Sequence, residues 1–250
     1  MIKILGICLG AWSLSFAHIS KDNNKIIVNK LHKIIHNGNP QKHLIEYLTN
    51  NDGDAKIATG RKFRKNLNIT NISETEASEY ALSFLIKKYN YSNLDAIVSL
   101  GAETFLVYDL DKEQHIKSVN AKNKCASGTG EFFLQQLKRM DITLDEAMKL
   151  SGNNPYKVSG RCSVFCKSDC THALNIGIEK SRVVLGLAEM IADKIIEILP
   201  NNTQSNIFIV GGVSKNKLVM DSLKRIYSNV IVPDEADYFE AIGAGLFGLR

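Results

Sequence analysis

Apolar runs that end in glycine recur along the chain and predict buried strands that lead into turns. Such a strand is predicted at 3–10 (KILGICLG), and a strand, a glycine turn and a second strand are predicted at 94–111 (LDAIVSLGAETFLVYDLD). At 206–216 (NIFIVGGVSKN) the pattern predicts a strand, a double-glycine turn and the start of a helix. Shorter strands are predicted at 16–20, 25–34, 55–60 and 229–234.

Helical spacing of apolar residues fills the segments between these strands. The clearest helix is predicted at 74–89, where Ala77 and Ala81 belong to an apolar stripe with helical periodicity. Ser73 and Glu76 form a capping-box pattern at its start. Further helices are predicted at 43–50, 163–177, 179–199, 217–227 and 240–250, and a glycine-rich turn that runs into a helix is predicted at 125–140.

Both halves of the chain show the same succession of strands, glycine turns and helices. This repetition predicts an α/β fold with two related lobes that face a cleft. We place the boundary near residue 92, so that the first lobe is 1–92 and the second is 93–250, with a C-terminal helix that can cross back to the first lobe. Because such folds bind ligands at turns after the carboxyl ends of strands, we look for the chemistry there.

Composition and charge narrow the class of protein. The odd count of five cysteines, without disulfide spacing, argues against a secreted scaffold and favours a reduced, cytoplasmic location. Gly6 and Gly10 interrupt the N-terminal apolar run, which indicates a strand rather than a signal peptide, and no run reaches the length of a membrane span. The net charge of +5 is mild, and the basic run Arg61–Lys65 is interpreted as a solvated loop. Neither a nucleic acid nor a membrane is therefore expected as a partner.

The richest candidate for chemistry is 123–133 (NKCASGTGEFF), a glycine-rich turn that enters a helix. Gly128 and Gly130 allow backbone amides to approach an anion closely, and the helix N-terminus adds partial positive charge. This arrangement favours a phosphate or an anionic cluster near Cys125, whose thiolate a helix N-terminus stabilises. The alternative is a tight turn beside a buried free cysteine, and this stretch alone does not separate the two.

Two matching turns follow the first strand of each half. Gly10 lies in one and Gly101 in the other, at positions that suit the phosphates of a nucleotide held from both sides. Neither turn carries an aspartate, and Cys8 and Ser99 stand where a carboxylate that organises Mg²⁺ would be useful. Glu103 is the one carboxylate of the second turn, with a surface position at a hairpin as its alternative.

The double glycine Gly211–Gly212 has two interpretations as well. It can let the backbone approach a nucleotide closely, or it can serve only as a tight turn from a strand to a helix. On its own it does not decide between them.

Three of the five cysteines, Cys162, Cys166 and Cys170, are spaced four residues apart and fall on one stripe of a helix. The first and the last lie roughly 12 Å apart along a helix axis, which is too far for all three to reach one ion easily. An iron–sulfur cluster needs about four thiolates, so a site made from this run alone is not expected. Cys166 and Cys170 are interpreted as small buried residues, with a spare-ligand or redox role as the alternative.

Four segments together, NKCASGTGEFF, GRCSVF, VGGVSKN and EAIGAGLFG, resemble the BadF/BcrA-type ATPase family, which activates 2-hydroxyacyl-CoA dehydratases and drives benzoyl-CoA reductases. The resemblance implies the bilobal actin-like fold shared by acetate and sugar kinases, heat-shock proteins and actin. It also implies a homodimer with one [4Fe-4S] cluster at the subunit interface. ATP, with Mg²⁺, would drive a low-potential electron to a dehydratase or reductase component.

The resemblance further implies roles for individual residues. Matches at Asn123–Phe132 and Cys162–Phe165 imply that Cys125 and Cys162 bind the cluster, and two copies of the chain would supply its four thiolates. From the resemblance and the turns together, the residues assigned to the nucleotide are Gly10, Gly101, Glu103, Gly128, Thr129, Gly130, Gly211 and Gly212.

The chain departs from the family's pattern in both phosphate turns. Gly6–Trp12 lacks the family's aspartate, serine and lysine, and Ser99–Thr104 lacks both aspartates. No catalytic residue is therefore assigned, and hydrolysis of ATP stays open. Three functions remain: an ATP-dependent electron donor, a non-hydrolysing cluster-bearing homologue that acts as a partner subunit, and a small-metabolite kinase of the same superfamily. The kinase would need a carboxylate base, for which the sequence offers no strong candidate.

Overall fold

The computed structural model describes residues 1–23, 25–51, 55–60, 67–120, 129–152 and 154–250. Ten strands and eight α-helices lie within these ranges. The strands are β1 (Ile2–Leu9), β2 (Ser13–Asp22), β3 (Lys25–Ile35), β4 (Ala55–Thr59), β5 (Thr70–Asn71), β6 (Ala96–Leu100), β7 (Phe105–Leu110), β8 (Ile116–Asn120), β9 (Ile207–Val210) and β10 (Val230–Ile231). The helices are α1 (Pro40–Asn50), α2 (Glu74–Tyr89), α3 (Gly130–Arg139), α4 (Leu144–Ala147), α5 (Ser163–Asn175), α6 (Lys180–Ile196), α7 (Lys217–Lys224) and α8 (Phe239–Phe247).

The chain divides into two compact units. The first comprises Met1–Asn93, Asp111–Ile116 and Asp237–Arg250, and the second comprises Leu94–Leu110 and Lys117–Ala236. The first unit thus includes the connection between β7 and β8, Asp111–Ile116, and the C-terminal helix α8. The lobes expected from the sequence, 1–92 and 93–250, stay a prediction.

The first unit is built on a five-stranded sheet in the order β3-β2-β1-β4-β5. β1 lies at its centre, antiparallel to β2 and parallel to β4. Leu5 and Ile7 of β1 face a core that includes Leu44 of α1, whereas Ile4 packs with Ile242 of α8 on the opposite face. Because both faces of β1 are covered, its sequence from Ile4 to Leu9 carries no alternating polar residues, as is typical of a central strand.

The capping box predicted at the start of α2 is confirmed. The Glu76 amide donates to the Ser73 hydroxyl oxygen at 3.1 Å, and the Ser73 amide donates to the Glu76 carboxylate at 2.9 Å. Ala77 of α2 packs in the same apolar cluster as Ala241 and Ala244 of α8. The small residues of α8 therefore serve the close packing of two helices on one face of the first sheet.

The second unit repeats the topology of the first. Its sheet has the order β8-β7-β6-β9-β10, with β6 antiparallel to β7 and parallel to β9, so that β6 takes the place of β1. Every residue of β6 and of β9 is buried. Phe133 of α3, Leu187 of α6 and Val219 of α7 belong to one apolar core with them. The predicted α/β fold with two related halves is confirmed.

The sequence patterns do not predict β5, β8 or α4. β5 and α4 have two and four residues, too few for a periodic pattern to show. β8 (IKSVN) alternates between half-buried and exposed positions and carries polar side chains at three of its five residues. The strand predicted at 229–234 is reduced to the two residues of β10. The missed elements are therefore short or only partly buried.

Candidate functional site

The carboxyl ends of β6 and β9 lie side by side in the second unit, because these strands are parallel neighbours. The turn after β6 is closed by a hydrogen bond from the Gly101 amide to the Thr104 carbonyl, at 3.0 Å. The start of α3 lies against this turn, since the Glu131 amide donates to the Ala102 carbonyl at 3.0 Å. Gly130, which precedes Glu131, is thereby brought beside Gly101.

Gly211 crosses directly over the end of β6. Its φ of +90° is one that residues with side chains rarely adopt, and a Cβ there would lie 2.5 Å from the Leu100 carbonyl oxygen. Its amide donates to the Ala236 carbonyl at 2.8 Å, and its carbonyl accepts the Ser214 hydroxyl at 2.6 Å. Both the conformation and the crowding at this crossing therefore require glycine.

A 3-10 helix, Gly212–Lys215, follows this crossing and completes the edge of the second unit. The Val213 side chain would lie 2.6 Å from a Cβ on Gly130. Four residues assigned to the nucleotide from the sequence are thus close to one another at this edge: Gly101, Gly130, Gly211 and Gly212.

Thr129 has a structural task at the same edge. It is buried, and its hydroxyl oxygen accepts the Phe132 amide as the N-cap of α3. The Glu131 amide donates to Ala102. Two amides in the first turn of α3 are thus satisfied within the protein, so this helix start offers an anion fewer donors than an uncapped N-terminus.

The first unit contains the same construction at the end of β1. The Gly10 amide donates to the Ser13 carbonyl at 3.1 Å, which closes the turn between β1 and β2. Gly60, directly after β4, has a φ of +109°, and a Cβ there would lie 2.5 Å from the Leu9 carbonyl oxygen. Gly60 is therefore the counterpart of Gly211. The sequence reasoning missed it, although the strand predicted at 55–60 ends in this glycine.

Cys8 and Ser99 occupy equivalent places, each one residue before the end of its strand. Burial raises the pKa of the Cys8 thiol well above its ordinary value, and the negative charges of Glu240 and Glu74 raise it further, against the opposing effect of Lys33. The thiol is therefore neutral at pH 7 and supplies no charge at the end of β1.

Cys162 is the N-cap of α5, with an extended backbone and a half-buried side chain. Its thiol makes no capping hydrogen bond to the described residues. Val164 and Phe165, in the first turn of α5, are 71% and 56% exposed. The start of this helix thus presents a thiol beside two large apolar side chains that reach solvent.

Cys166 and Cys170 follow Cys162 on the same helix, but both are buried in the core of the second unit. A hydrogen bond from the Cys166 thiol lowers the pKa of the Cys170 thiol. The interpretation of these two cysteines as buried residues of a helix face is confirmed.

Some predicted residues fall outside the described ranges, namely Cys125, Gly128 and the basic run Arg61–Lys65. Glu103 is described and is exposed in the turn after β6. Among the described residues, no group of three or more His, Cys, Asp or Glu side chains could hold a metal ion. No helix in the described part of the chain is long and apolar enough to span a membrane.

Most of the chain matches a known protein family. Residues 12–248 match the model of the BadF/BadG/BcrA/BcrD ATPase family. The 2-hydroxyisocaproyl-CoA dehydratase activator of Clostridioides difficile is 27% identical over 180 residues, which are 70% of this chain and 66% of that protein. The (R)-2-hydroxyglutaryl-CoA dehydratase activating ATPase of Acidaminococcus fermentans is 22% identical over 259 residues, covering 100% of this chain and 98% of that protein. The chain spans just under two thirds of the first curated relatives it matches, 65% and 66%.

A solved structure has the same architecture. It is the activator of the 2-hydroxyisocaproyl-CoA dehydratase from Clostridium difficile with bound ADPNP, which aligns with a TM-score of 0.83 and covers 98% of this chain and 94% of that one. At 21% sequence identity this likeness concerns the fold, and it confirms the predicted actin-like architecture.

Proposed function

The chain belongs to the BadF/BadG/BcrA/BcrD ATPase family, and on that premise we propose that it is an ATP-dependent activator of an acyl-CoA dehydratase or reductase. In this proposal two copies of the chain share one [4Fe-4S] cluster, bound through Cys125 and Cys162 of each copy. ATP held by the glycine turns drives transfer of an electron to the dehydratase or reductase component. When bound, the cluster supplies the one-electron redox chemistry.

One observation carries this proposal, the placement of Cys162 at the start of α5. A thiol at a helix N-terminus suits an anionic cluster, because the helix dipole and the outward-pointing amides favour negative charge. The thiol makes no capping bond to the described residues, so it is available as a ligand. Such clusters take about four thiolates, which matches two cysteines from each of two copies.

The exposed side chains next to Cys162 support the homodimer. Val164 and Phe165 follow Cys162 in the first turn of α5 and are largely exposed in the single chain. Burying the exposed part of each against a second copy would stabilise the dimer by about 1–2 kcal/mol per side chain. A dimer formed at this helix start would also bring the two Cys162 thiols together, which the shared cluster requires.

Support for the nucleotide comes from the family and from the second unit. The chain belongs to an ATPase family, and a relative of the same fold was solved with ADPNP. Gly101, Gly130 and Gly211 lie together at the carboxyl ends of parallel strands, where open α/β folds bind ligands. Gly10, Glu103, Gly128, Thr129 and Gly212 complete the proposed set.

Iron and sulfide analysis of anaerobically purified protein tests this function, together with electron paramagnetic resonance after reduction. The wild type is expected to form a dimer with about four irons per two chains. Cys162→Ala is expected to lose the cluster, whereas Cys170→Ala, a buried cysteine of the same helix, keeps it. A full complement of iron and sulfide in Cys162→Ala would show that the ligand assignment is wrong.

A second candidate, a non-hydrolysing homologue that serves as a cluster-bearing partner subunit, is favoured by Cys8 and Ser99. Both stand at strand ends where a carboxylate would organise Mg²⁺, and the Cys8 thiol carries no charge. Under this candidate a cluster-loaded dimer shows no ATP turnover even with its partner component. Measured turnover that depends on the partner excludes it and supports the activator.

A further inference from the structure

A row of polar side chains crosses the first unit's sheet at the carboxyl end of β1. Cys8 lies opposite Ser15 of β2 on one side and opposite Thr59 of β4 on the other. Ser15 lies in turn opposite Lys33 of β3. Cys8 packs against the apolar cluster that α8 shares with the sheet, which places the row on the face that α8 covers. The row lies at the carboxyl end of β1, just before Gly10, where this apolar face of the sheet ends.

Asp237, two residues before α8, contacts two residues of this row. Its Oδ2 lies 3.3 Å from the Lys33 Nζ, and its backbone carbonyl accepts the Ser15 hydroxyl at 3.1 Å. Its Oδ1 is buried and has no hydrogen-bond partner among the described residues. A carboxylate oxygen buried without a partner is costly, so its presence points to a group outside the described chain that meets it.

A second oxygen in the row is also buried without a described hydrogen-bond partner. The Thr59 hydroxyl is fully buried and has no hydrogen-bond partner in the described part of the chain. Glu74 and Glu240 also act on Cys8, but both already make other interactions within the chain. Asp237, in contact with this row through Ser15 and Lys33, thus has a carboxylate oxygen that no described residue satisfies, and oxygen is the donor that Mg²⁺ prefers.

We propose that Asp237, in the first unit, supplies a carboxylate oxygen that contacts the Mg²⁺ of a bound nucleotide, either directly or through a water bound to that ion. The inference rests on the proposed binding of a nucleotide at the glycine turns. Enzymes that act on nucleotide phosphates hold Mg²⁺ through carboxylates, and Cys8 provides none at the end of β1. Lys33 holds one oxygen of Asp237 and leaves the other for the ligand.

Calorimetric titration of ADP into the anaerobically purified protein, with Mg²⁺ and with an excess of chelator, tests the inference. We expect Mg²⁺ to tighten ADP binding by the wild type. Asp237→Asn keeps the shape and loses the charge, and it removes about tenfold or more of that tightening, the worth of one charge-assisted contact. Cys8→Asp added to Asp237→Asn restores it, because a carboxylate returns to the same row.

Glu46→Gln is the matched control, since it removes an exposed carboxylate of the same unit that pairs with Lys42. It is expected to keep the full effect of Mg²⁺. The inference is overturned if the wild type binds ADP equally with and without Mg²⁺, or if Asp237→Asn keeps the whole effect.

If Asp237→Asn does not fold, Cys8→Asp alone tests the inference. A second carboxylate beside Asp237 is expected to tighten Mn²⁺ in the ADP complex about tenfold, measured from the resonance signal of free Mn²⁺. An unchanged Mn²⁺ affinity contradicts the inference.

Iron analysis on the same samples separates this result from the proposed function. If Asp237→Asn loses the Mg²⁺ effect in protein that contains no iron, the inference about Asp237 holds and the proposed cluster is wrong. If Asp237→Asn keeps the Mg²⁺ effect in protein with a full complement of iron, the cluster holds and the inference is wrong.

Discussion

Asp169 holds the segment that leads into Cys162, because its Oδ2 accepts a hydrogen bond from the Ser159 amide at 2.7 Å. The Ser159 hydroxyl oxygen accepts in turn the Arg161 amide at 3.3 Å. Asp169 lies on α5, about two turns after Cys162, so these bonds tie the helix to the residues just before it. The position of the Cys162 thiol thus depends on a carboxylate that is not itself a proposed ligand.

Replacing Asp169 is therefore expected to disturb the proposed cluster without removing a proposed ligand. Asp169→Ala loses a charge-assisted hydrogen bond, which lowers the free energy of unfolding by about 1–2 kcal/mol and reduces the iron retained on purification. Asp169→Asn keeps an acceptor oxygen and recovers most of the iron. Urea unfolding and iron analysis on the three proteins check this. Equal iron content in Asp169→Ala and the wild type would leave Asp169 with a purely structural role.

Gly60 and Gly211 are expected to be costly to replace. Alanine at either position combines a left-handed φ with overlap on a strand-end carbonyl, so the free energy of unfolding falls by about 2–4 kcal/mol. Gly38 and Gly177 are matched controls with φ of +81° and +82° and no described atom within 4 Å of the Cβ position. Their alanine variants lose only about 1 kcal/mol. Equal losses in all four, measured by urea unfolding, would show that crowding contributes nothing.

The sequence predicted the parts of the fold that apolar periodicity controls. β6 and β9 are buried along their whole length, β1 is buried from Ile4 to Ile7, and α2 carries a capping box, so their patterns were visible without the structure. Gly60 gave the same signal as the other strand-end glycines. Its role appears only when β4 is seen to pair in parallel with β1, as β9 does with β6.

Asp237 could not be found in this way. The Ser15 hydroxyl that contacts it is 222 residues away along the chain, and no local pattern links the two. Its neighbours in sequence form a short 3-10 turn before α8, which gives no sign of a buried carboxylate oxygen. Residues that act through the pairing of distant strands with a returning helix need the tertiary structure to be recognised.

His115 and Glu79 are expected to make stability depend on pH. The His115 Nδ1 contacts Glu79 Oε1, and the Ile116 amide donates to Glu79 Oε2 at 2.9 Å. The hydrogen bond to Glu79 and then its charge raise the pKa of His115 above its ordinary value of about 6.5. A histidine whose pKa is raised on folding stabilises the protein below its unfolded pKa, and this contribution is lost as pH rises through the folded pKa.

The difference in unfolding free energy between the wild type and Glu79→Gln should therefore be larger at about pH 6 than at about pH 8.5. Urea unfolding across this range measures it, and NMR titration of His115 gives the pKa directly. Because the histidine is exposed, added salt should reduce the difference. A difference that stays constant with pH would mean that Glu79 acts only through its bond to the Ile116 amide.

Cys166 and Cys170 are expected to stabilise the second unit as a coupled pair. The Cys166 thiol donates to Cys170 inside the core, so each single alanine variant loses this bond and leaves a small cavity. The double variant loses the bond only once. A double-mutant cycle by urea unfolding should therefore give a coupling of about 0.5–1.5 kcal/mol, with iron content unchanged in all three variants. Loss of iron in Cys166→Ala would instead mean that the thiol next along the stripe from Cys162 can reach the proposed cluster.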